Sequence, residues 1–123
     1  ILINDLSDIY NYLSDKITTI FIDEANFLKG NIDVLIDLSI NKDLDIFIAG
    51  LNLTSELKPF GIMPEIMAIS DEIVLLHASC NDCNRDASYT YYNGSKDSDI
   101  LVGNDNYIAL CPKCLRKRLT LNK

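Results

Sequence analysis

The stretch TTIFIDE, residues 18–24, decides the fold of this chain, because a continuous β-branched and aromatic run ends there in two acids. Such a run is typical of a strand that is buried on both faces of a parallel sheet. DIFIAGL, residues 45–51, has the same character, and a third strand is predicted over residues 72–78. His77 lies on an apolar face within that third strand, so we expect a buried, hydrogen-bonded core residue.

Apolar residues at helical spacing precede each of these strands. The first such segment predicts an amphipathic helix over residues 2–15. A second helix is predicted after Gly30-Asn31, and a third begins at Pro64, with Met67 and Ile69 among its core candidates. This alternation of helix and strand predicts the α/β class, with a parallel sheet and right-handed crossovers.

Composition and charge narrow the function classes. The 123 residues are 48% hydrophobic and carry a formal net charge of −7. An acidic surface repels phosphate backbones, so nucleic-acid binding is not expected. No apolar run approaches the ~20 residues of a membrane span, and no secretion signal is recognisable. We therefore expect a cytoplasmic protein that does not enter a membrane.

The chain is predicted to have two parts. Residues 1–78 are expected to form a partial α/β core. Residues 79–123 are expected to form a small separate lobe, since aliphatic residues give way there to Asn, Asp, Ser, Gly and Tyr. Within the lobe, a Tyr-rich hairpin at Tyr89–Tyr92 precedes a polar loop, residues 93–106, that is long enough to be functional.

All four cysteines lie in two tight pairs, Cys80-Asn81-Asp82-Cys83 and Cys111-Pro112-Lys113-Cys114. This spacing predicts a tetrahedral, structural Zn²⁺ site with four sulfur ligands and no open position for substrate. Two disulfides are the alternative, which a core rich in aliphatic residues and the lack of a secretion signal disfavour. The basic run Arg116-Lys117-Arg118 either offsets the charge of the zinc site or is only solvated.

Ligands of open parallel sheets bind at the carboxyl ends of the strands, which singles out Asp23 and Glu24 and the segment after Leu51. An apolar strand that ends in Asp-Glu matches the magnesium-side motif of P-loop nucleotide enzymes. The alternative is that Asp23 caps the next helix and Glu24 is merely solvated. A G-x-x-x-x-G-K-[ST] phosphate loop does not occur in these residues, so they cannot hold a triphosphate alone.

Three aromatic residues are candidates for an apolar slot that would hold a flat base: Phe27, Phe60 and Tyr107. Packing in the core is the alternative for each of them. The chain has neither the Ser/His/Asp arrangement of serine hydrolases nor the HExxH motif of zinc metalloproteases.

Seven short pieces occur in a fixed order across roughly residues 17–115. They are Ile20-Phe21-Ile22-Asp23-Glu24-Ala25-Asn26-Phe27, Gly50-Leu51, Lys58-Pro59-Phe60-Gly61, Cys80-x-x-Cys83, Arg85-Asp86-Ala87-Ser88-Tyr89-Thr90, Val102-Gly103-Asn104-Asp105-Asn106-Tyr107 and Cys111-x-x-Cys114. The series resembles the tetrameric, zinc-containing class of thymidine kinases found in cells, bacteria and poxviruses. The resemblance implies a P-loop-type nucleotide-binding core, truncated here at its N-terminus, with a zinc lobe that carries a substrate loop.

The resemblance also implies roles for individual residues. Glu24 would be the catalytic carboxylate beside the nucleoside 5′-hydroxyl, while Asp23 and Asn26 would serve Mg²⁺ and ATP. The residues that would surround thymidine are Phe27, Leu51, Phe60, Thr90 and Tyr107. The loop that would contact the thymine edge through backbone groups contains Ser98, Asp99, Ile100, Leu101 and Val102.

The function implied by the resemblance is ATP-dependent 5′-phosphorylation of thymidine for salvage of DNA precursors, by a homotetramer. The family's N-terminal third, with its phosphate loop, corresponds to no part of these residues, so we expect it upstream and expect residues 1–123 alone to be inactive. One alternative is a zinc-ribbon interaction module that binds protein or nucleic acid without catalysis. Another is a different P-loop ATPase, in which Asp23-Glu24 activates water.

Overall fold

The computed structural model describes residues 1–93 and 106–121, which form two compact units. The first unit contains Ile1–Asn52 and Pro59–Ile73, and the second contains Leu53–Lys58 and Val74–Lys123. In the described ranges, no helix has the length and apolar character that crossing a membrane requires.

The first unit is built on two short parallel strands, β1 (Thr19–Ile22) and β2 (Asp45–Ile48). Thr19 lies opposite Asp45 and Ile22 opposite Ile48, so both strands end at the same level. The helical elements of this unit are 3₁₀-helices at Leu6–Tyr12 and Ala25–Phe27, α1 (Asp33–Ile36) continuing into a π-helical turn at Asp37–Asn41, and α2 (Met63–Ile69). The mixed helix and strand architecture and the parallel pair agree with the α/β class.

The core of the first unit lies against one face of this strand pair. Isoleucines of both strands face it, and the side chains that are buried with them are Leu6, Ile9, Leu28, Leu35, Leu38, Met63 and Ile66. On the opposite face Phe21 is 78% exposed and Phe47 is 57% exposed, with their rings stacked at 5.2 Å. The prediction that these strands are buried on both faces is therefore wrong for the described residues, since only one face is covered.

The predicted helix over residues 2–15 is only a 3₁₀-helix at Leu6–Tyr12. Asp5 caps its N-terminus: the Asp5 carboxylate accepts the N–H of Ser7, while the Asp8 carboxylate accepts the N–H of Asp5. This reciprocal capping starts the helix four residues later than predicted. In α2, Pro64 lies in the first turn as expected, but Ile69 is exposed.

The strand predicted over residues 72–78 is also wrong, because regular pairing is limited to Ala78–Ser79. His77 is exposed rather than buried. The run has apolar, β-branched residues, but no strand pairs with residues 72–77 in the part of the chain that the structure describes. Strand propensity takes effect only when a partner strand and a packing surface are present.

The described residues of the second unit form two antiparallel strand pairs and a helix. The pairs are β3 (Ala78–Ser79) with β4 (Asp86–Ala87), and β5 (Tyr89–Tyr92) with β6 (Tyr107–Leu110), and the helix is α3 (Pro112–Leu121). Tyr89–Tyr92 is thus one strand of a hairpin rather than a hairpin in itself. The core consists of three cysteines together with Ala87, Leu110 and Leu115.

Candidate active site and metal centre

The carboxyl ends of β1 and β2 are tied together beyond the strands themselves. The N–H of Ala49 donates to the carbonyl of Ile22 over 2.8 Å, and the N–H of Ala25 donates to the carbonyl of Ala49 over 3.1 Å. Because these bonds lie on either side of Asp23 and Glu24, both acids are held at the sheet edge where ligands of parallel sheets bind.

Glu24 has a left-handed backbone, with φ 56° and ψ 36°. Its N–H donates to Asp23 Oδ1 over 2.8 Å, and its carbonyl accepts the N–H of Phe27 over 3.0 Å. This conformation is uncommon for a residue that is not Gly, Asn or Asp, and such strain is concentrated at functional sites. The side chain of Glu24 caps no helix and is exposed to solvent, so its carboxylate is available to a ligand.

Asn26 joins the two strand ends through its side chain. It is only 4% exposed, and its Oδ1 accepts the N–H of Leu51 over 3.0 Å. Its Nδ2 is buried and has no hydrogen-bond partner among the described residues. The side chain therefore fixes the chain after β2 against the turn after β1.

Gly61 allows a close approach to Asn26. Gly61 has φ +53°, and a Cβ atom there would lie 2.5 Å from the carbonyl oxygen of Asn26. The N–H of Phe60, the preceding residue, donates to the carbonyl of Asn52 over 3.0 Å. The segment that begins α2 is thereby held beside the strand ends.

Apolar side chains flank the acidic edge. The rings of Phe27 and Phe60 meet edge-to-face, with centroids 5.3 Å apart, while Phe27 and Leu51 are largely exposed. The packing alternative therefore holds only in part, because Phe27 and Phe60 contact each other but Phe27 keeps a free face. A shallow cavity of about 290 Å³ lies on the outer face of the strands, lined by Phe21, Ile22, Asp23, Phe47, Ile48 and Ala49.

The four cysteines meet in the second unit. Their sulfur atoms all lie within 4.8 Å of one another, and those of Cys83 and Cys111 are 3.6 Å apart. Sulfurs at 2.3 Å from a tetrahedral Zn²⁺ are about 3.8 Å from each other, whereas a disulfide requires about 2.05 Å. All four cysteines are free thiols, so the cluster fits a metal ion and not two disulfides.

Two turns present these sulfurs. The first lies between β3 and β4, where the N–H of Cys80 donates to the carbonyl of Arg85 over 2.7 Å. The N–H of Asn81 donates to the carbonyl of Ala109 over 2.8 Å, which attaches this turn to β6. The second turn is the start of α3, where the N–H of Leu115 donates to the carbonyl of Cys111.

The cluster perturbs the pKa values of its own thiols. Burial raises the pKa of Cys80, but N–H groups directed at its sulfur outweigh burial and lower the pKa to about 6; they belong to Cys111, Asp82 and Cys83. The N–H of Cys114 donates to Cys111 Sγ and lowers the pKa of that thiol. Burial raises the pKa of Cys114, and hydrogen bonds that its S–H donates to the other sulfurs raise it further, to about 12. A divalent cation would stabilise all of them as thiolates.

Thr90 and Tyr107 lie on the β5–β6 hairpin. Thr90 pairs with Ala109 and Tyr92 with Tyr107, so Thr90 and Tyr107 project from the same face. The rings of Tyr92 and Tyr107 are 5.1 Å apart. The predicted substrate-loop residues Ser98 to Val102 lie outside the described residues.

Arg118 is the residue of this lobe that sequence reasoning missed. The basic run suggested solvation or general charge compensation, yet the guanidinium makes a bidentate ion pair with Asp82. This pair lowers the pKa of the Asp82 carboxyl to about 2. The one available sequence signal was an acid inside a Cys-x-x-Cys turn together with a basic helix.

Relatives of the chain were found by comparison. A family model described as thymidine kinase matches residues 1–115. A protein of Porphyromonas gingivalis named thymidine kinase is 36% identical over 107 residues, which are 85% of this chain and 52% of the relative. Proteins of the same name from Mycoplasma mobile and Pseudothermotoga lettingae are 33% and 30% identical over 115 and 118 residues. Those matches cover 93% and 94% of this chain but 58% and 64% of the relatives.

Proposed function

The chain belongs to the thymidine kinase family, and we propose that the protein that carries it transfers the γ-phosphoryl group of ATP to the 5′-hydroxyl of thymidine. The chain spans little more than half the length of the relatives above, so the proposal concerns the complete protein. The observation that supports it most is the acidic sheet edge, where Glu24 is held in a strained backbone between two hydrogen-bonded strand ends.

Glu24 is proposed to orient the 5′-hydroxyl and to accept its proton late in the transfer. An ordinary glutamate has a pKa of about 4.3 and cannot deprotonate an alcohol in the ground state. It does not need to, because phosphoryl transfer has a loose transition state in which positioning dominates. The bonds that hold the Glu24 N–H and carbonyl restrict where its carboxylate can reach.

Asp23 is proposed to serve Mg²⁺, which when bound neutralises charge on the phosphates. Its Oδ1 already accepts one N–H, so the other oxygen stays available for a hydrated cation. The proposed ATP role of Asn26 stays a prediction from the resemblance. The hydrogen bond from Leu51 to Asn26 supports a further role, which is to hold the strand ends in place.

The base is proposed to lie against the apolar side chains of Phe27 and Leu51, which are exposed, and of Phe60, which is half-buried. Aromatic faces favour stacking with a flat ring, and Phe27 is open to solvent. Thr90, Tyr107 and the segment Ser98–Val102 are proposed to complete the nucleoside site, as the resemblance implies. A site that hydrogen-bonds the thymine edge would reject cytosine, because the reversed donors and acceptors leave buried groups unpaired.

The cysteine cluster is proposed to bind a structural Zn²⁺ that stabilises the lobe. Four thiolate ligands leave no position open for substrate, so the ion would take no part in the transfer. The homotetramer, the cytoplasmic location and the upstream phosphate loop remain predictions from sequence and resemblance.

The proposal is tested by assaying phosphate transfer from ATP in the complete protein, with thymidine present and absent. We expect Glu24→Gln to lower kcat by about 10²–10⁴-fold without changing zinc content. Gln keeps the length of the side chain and is no better suited to a left-handed backbone, so the charge alone is removed. Glu65→Gln, at an exposed position in α2, is the matched control and should retain full activity.

Two results would contradict the proposal. Full activity of Glu24→Gln would remove Glu24 from the chemistry. ATP hydrolysis at the same rate without any nucleoside would instead favour the ATPase alternative.

A further inference from the structure

Arg118 makes an unusually well-defined contact for a surface cation. Its Nε donates to Asp82 Oδ2 and its Nη2 to Asp82 Oδ1, both over 2.8 Å. Both side chains are less than one third exposed. Paired parallel bonds of this kind fix the relative orientation of the two groups as well as their separation.

The same guanidinium contacts the end of strand β5. Its Nη1 donates to Asn93 Oδ1 over 3.3 Å, and its central carbon lies 5.5 Å from the centre of the Tyr91 ring. One side chain on α3 thus reaches both the first cysteine turn and the hairpin. Its planar fork serves several acceptors at once, which a lysine ammonium cannot do with the same geometry.

The two hydrogen-bond partners of Arg118, Asp82 and Asn93, are themselves bonded to the cysteine cluster and to the residue that precedes strand β6. The backbone N–H of Asp82 is directed at the sulfur of Cys80, so Arg118 is two steps from the metal cluster. The N–H of Asn93 donates to the carbonyl of Asn106 over 2.6 Å, one residue beyond the Tyr92–Tyr107 pair. Arg118 therefore connects the first cysteine turn to the end of the hairpin from which the loop between β5 and β6 departs.

We propose that Arg118 is a positioning residue that holds the β5–β6 hairpin, with Thr90 and Tyr107, in a fixed place relative to the first cysteine turn. The nucleoside role of Thr90 and Tyr107 rests on the proposed function, whereas the mechanical link does not. If Arg118 only offset the negative charge of the metal site, the other basic residues of α3 would serve equally well. The side chain of Lys117 is exposed and forms no hydrogen bond or ion pair with the described residues, so it provides the contrast.

The test uses the complete, zinc-loaded protein and compares Arg118→Gln with Lys117→Gln, which removes the same charge from the same helix. We expect backbone hydrogen exchange at Tyr91 and Asn93, whose N–H groups point towards β6, to be about tenfold or more faster in Arg118→Gln. Lys117→Gln should match the wild type. The zinc content of both variants should stay at one ion per chain.

Kinetics separate positioning from general loss of stability. We expect Arg118→Gln to raise KM for thymidine about tenfold, because the charge-assisted bonds that hold the hairpin in place are lost. KM for ATP and kcat should change little. Arg118→Lys should raise KM for thymidine less than Arg118→Gln does, because lysine keeps the positive charge but cannot form the paired bonds.

If Arg118→Gln fails to fold, Asp82→Asn replaces it, since it weakens the same link from the other side and should accelerate the same amides. Equal exchange in Arg118→Gln and Lys117→Gln would overturn the proposal, and so would an equal rise in KM for both substrates. If the wild type phosphorylates no nucleoside, the proposed function fails, yet hydrogen exchange still decides the role of Arg118.

Discussion

The acidic sheet edge of the first unit and the cysteine cluster of the second unit are assembled in opposite ways. The cluster takes its four sulfurs from two cysteine pairs, and the members of each pair are only three positions apart in sequence. Three of the four cysteines are buried. The edge gathers backbone and side chains from three separate segments around Asn26, while its acids stay exposed. The cluster therefore offers four sulfurs that one ion could hold together, whereas the edge depends on many small contacts.

This difference should appear most clearly when metal is removed. Extraction of zinc by a chelator is expected to unfold the second unit, because structural Zn²⁺ contributes about 10–16 kcal/mol in small zinc-binding folds. The first unit, whose core is apolar, should keep its amide protection. Hydrogen exchange resolved by segment measures both units in one experiment.

Cys114→Ser is the matching variant, and it should mimic the chelator because it removes one of the four sulfurs proposed to hold zinc. Protection of β1 and β2 that falls together with that of β5 and β6 would contradict the independence of the two sites.

A second expected property of the cysteine cluster is that its affinity for zinc depends on pH. Zinc binding should displace a proton from Cys114 at neutral pH, because the pKa of that thiol in the metal-free cluster is raised to about 12. Proton release on binding makes affinity rise with pH, by about tenfold per unit for each proton displaced. Cys80, with its pKa lowered to about 6, should contribute to this slope only as the pH falls towards 6.

Calorimetric titration in buffers of different ionisation enthalpy would count the protons released. A zinc affinity that does not change between pH 7 and pH 8 would show that Cys114 is already a thiolate or is not a ligand.

The smallest expected effect concerns the geometry of the sheet edge. Gly61→Ala should destabilise the first unit by about 1–3 kcal/mol, because it places a Cβ on a left-handed residue and against the Asn26 carbonyl. Gly50→Ala is the matched control, since its Cβ would also be crowded, by the Met63 sulfur at 2.9 Å and the Asn26 backbone nitrogen at 3.2 Å, but its φ is not positive. Urea denaturation measures both variants, and equal losses would exclude backbone strain as the cause.

How far sequence alone could predict each site follows from the same difference. The spacing of Cys80 with Cys83 and of Cys111 with Cys114 encodes the cluster locally, and the structure brings the four sulfurs together. The family prediction is confirmed for the same reason, since it rested on short motifs in order. The end of β1 was also predicted correctly, because the apolar run stops at Asp23, whereas β2 ends at Ile48, three residues before the predicted end at Leu51.

Features that depend on distant partners could not be predicted. The bond from Leu51 to Asn26 links residues 25 positions apart, and the pair of Arg118 with Asp82 spans 36 positions. The strand predicted around His77 was wrong for a related reason. The composition of that run favours a strand, but whether a partner strand lies beside it depends on the rest of the fold. Propensity describes a segment, whereas pairing is a property of the fold.

At position 24, the residue that would stabilise the fold best differs from the residue that the proposed reaction needs. Glycine would adopt the same φ and ψ without steric strain, so it is the residue that folding alone would select there. A lineage released from the need for the carboxylate would drift towards Gly or Asn and gain robustness in doing so. The identity of this one residue in any homologue thus indicates which of the two pressures has prevailed.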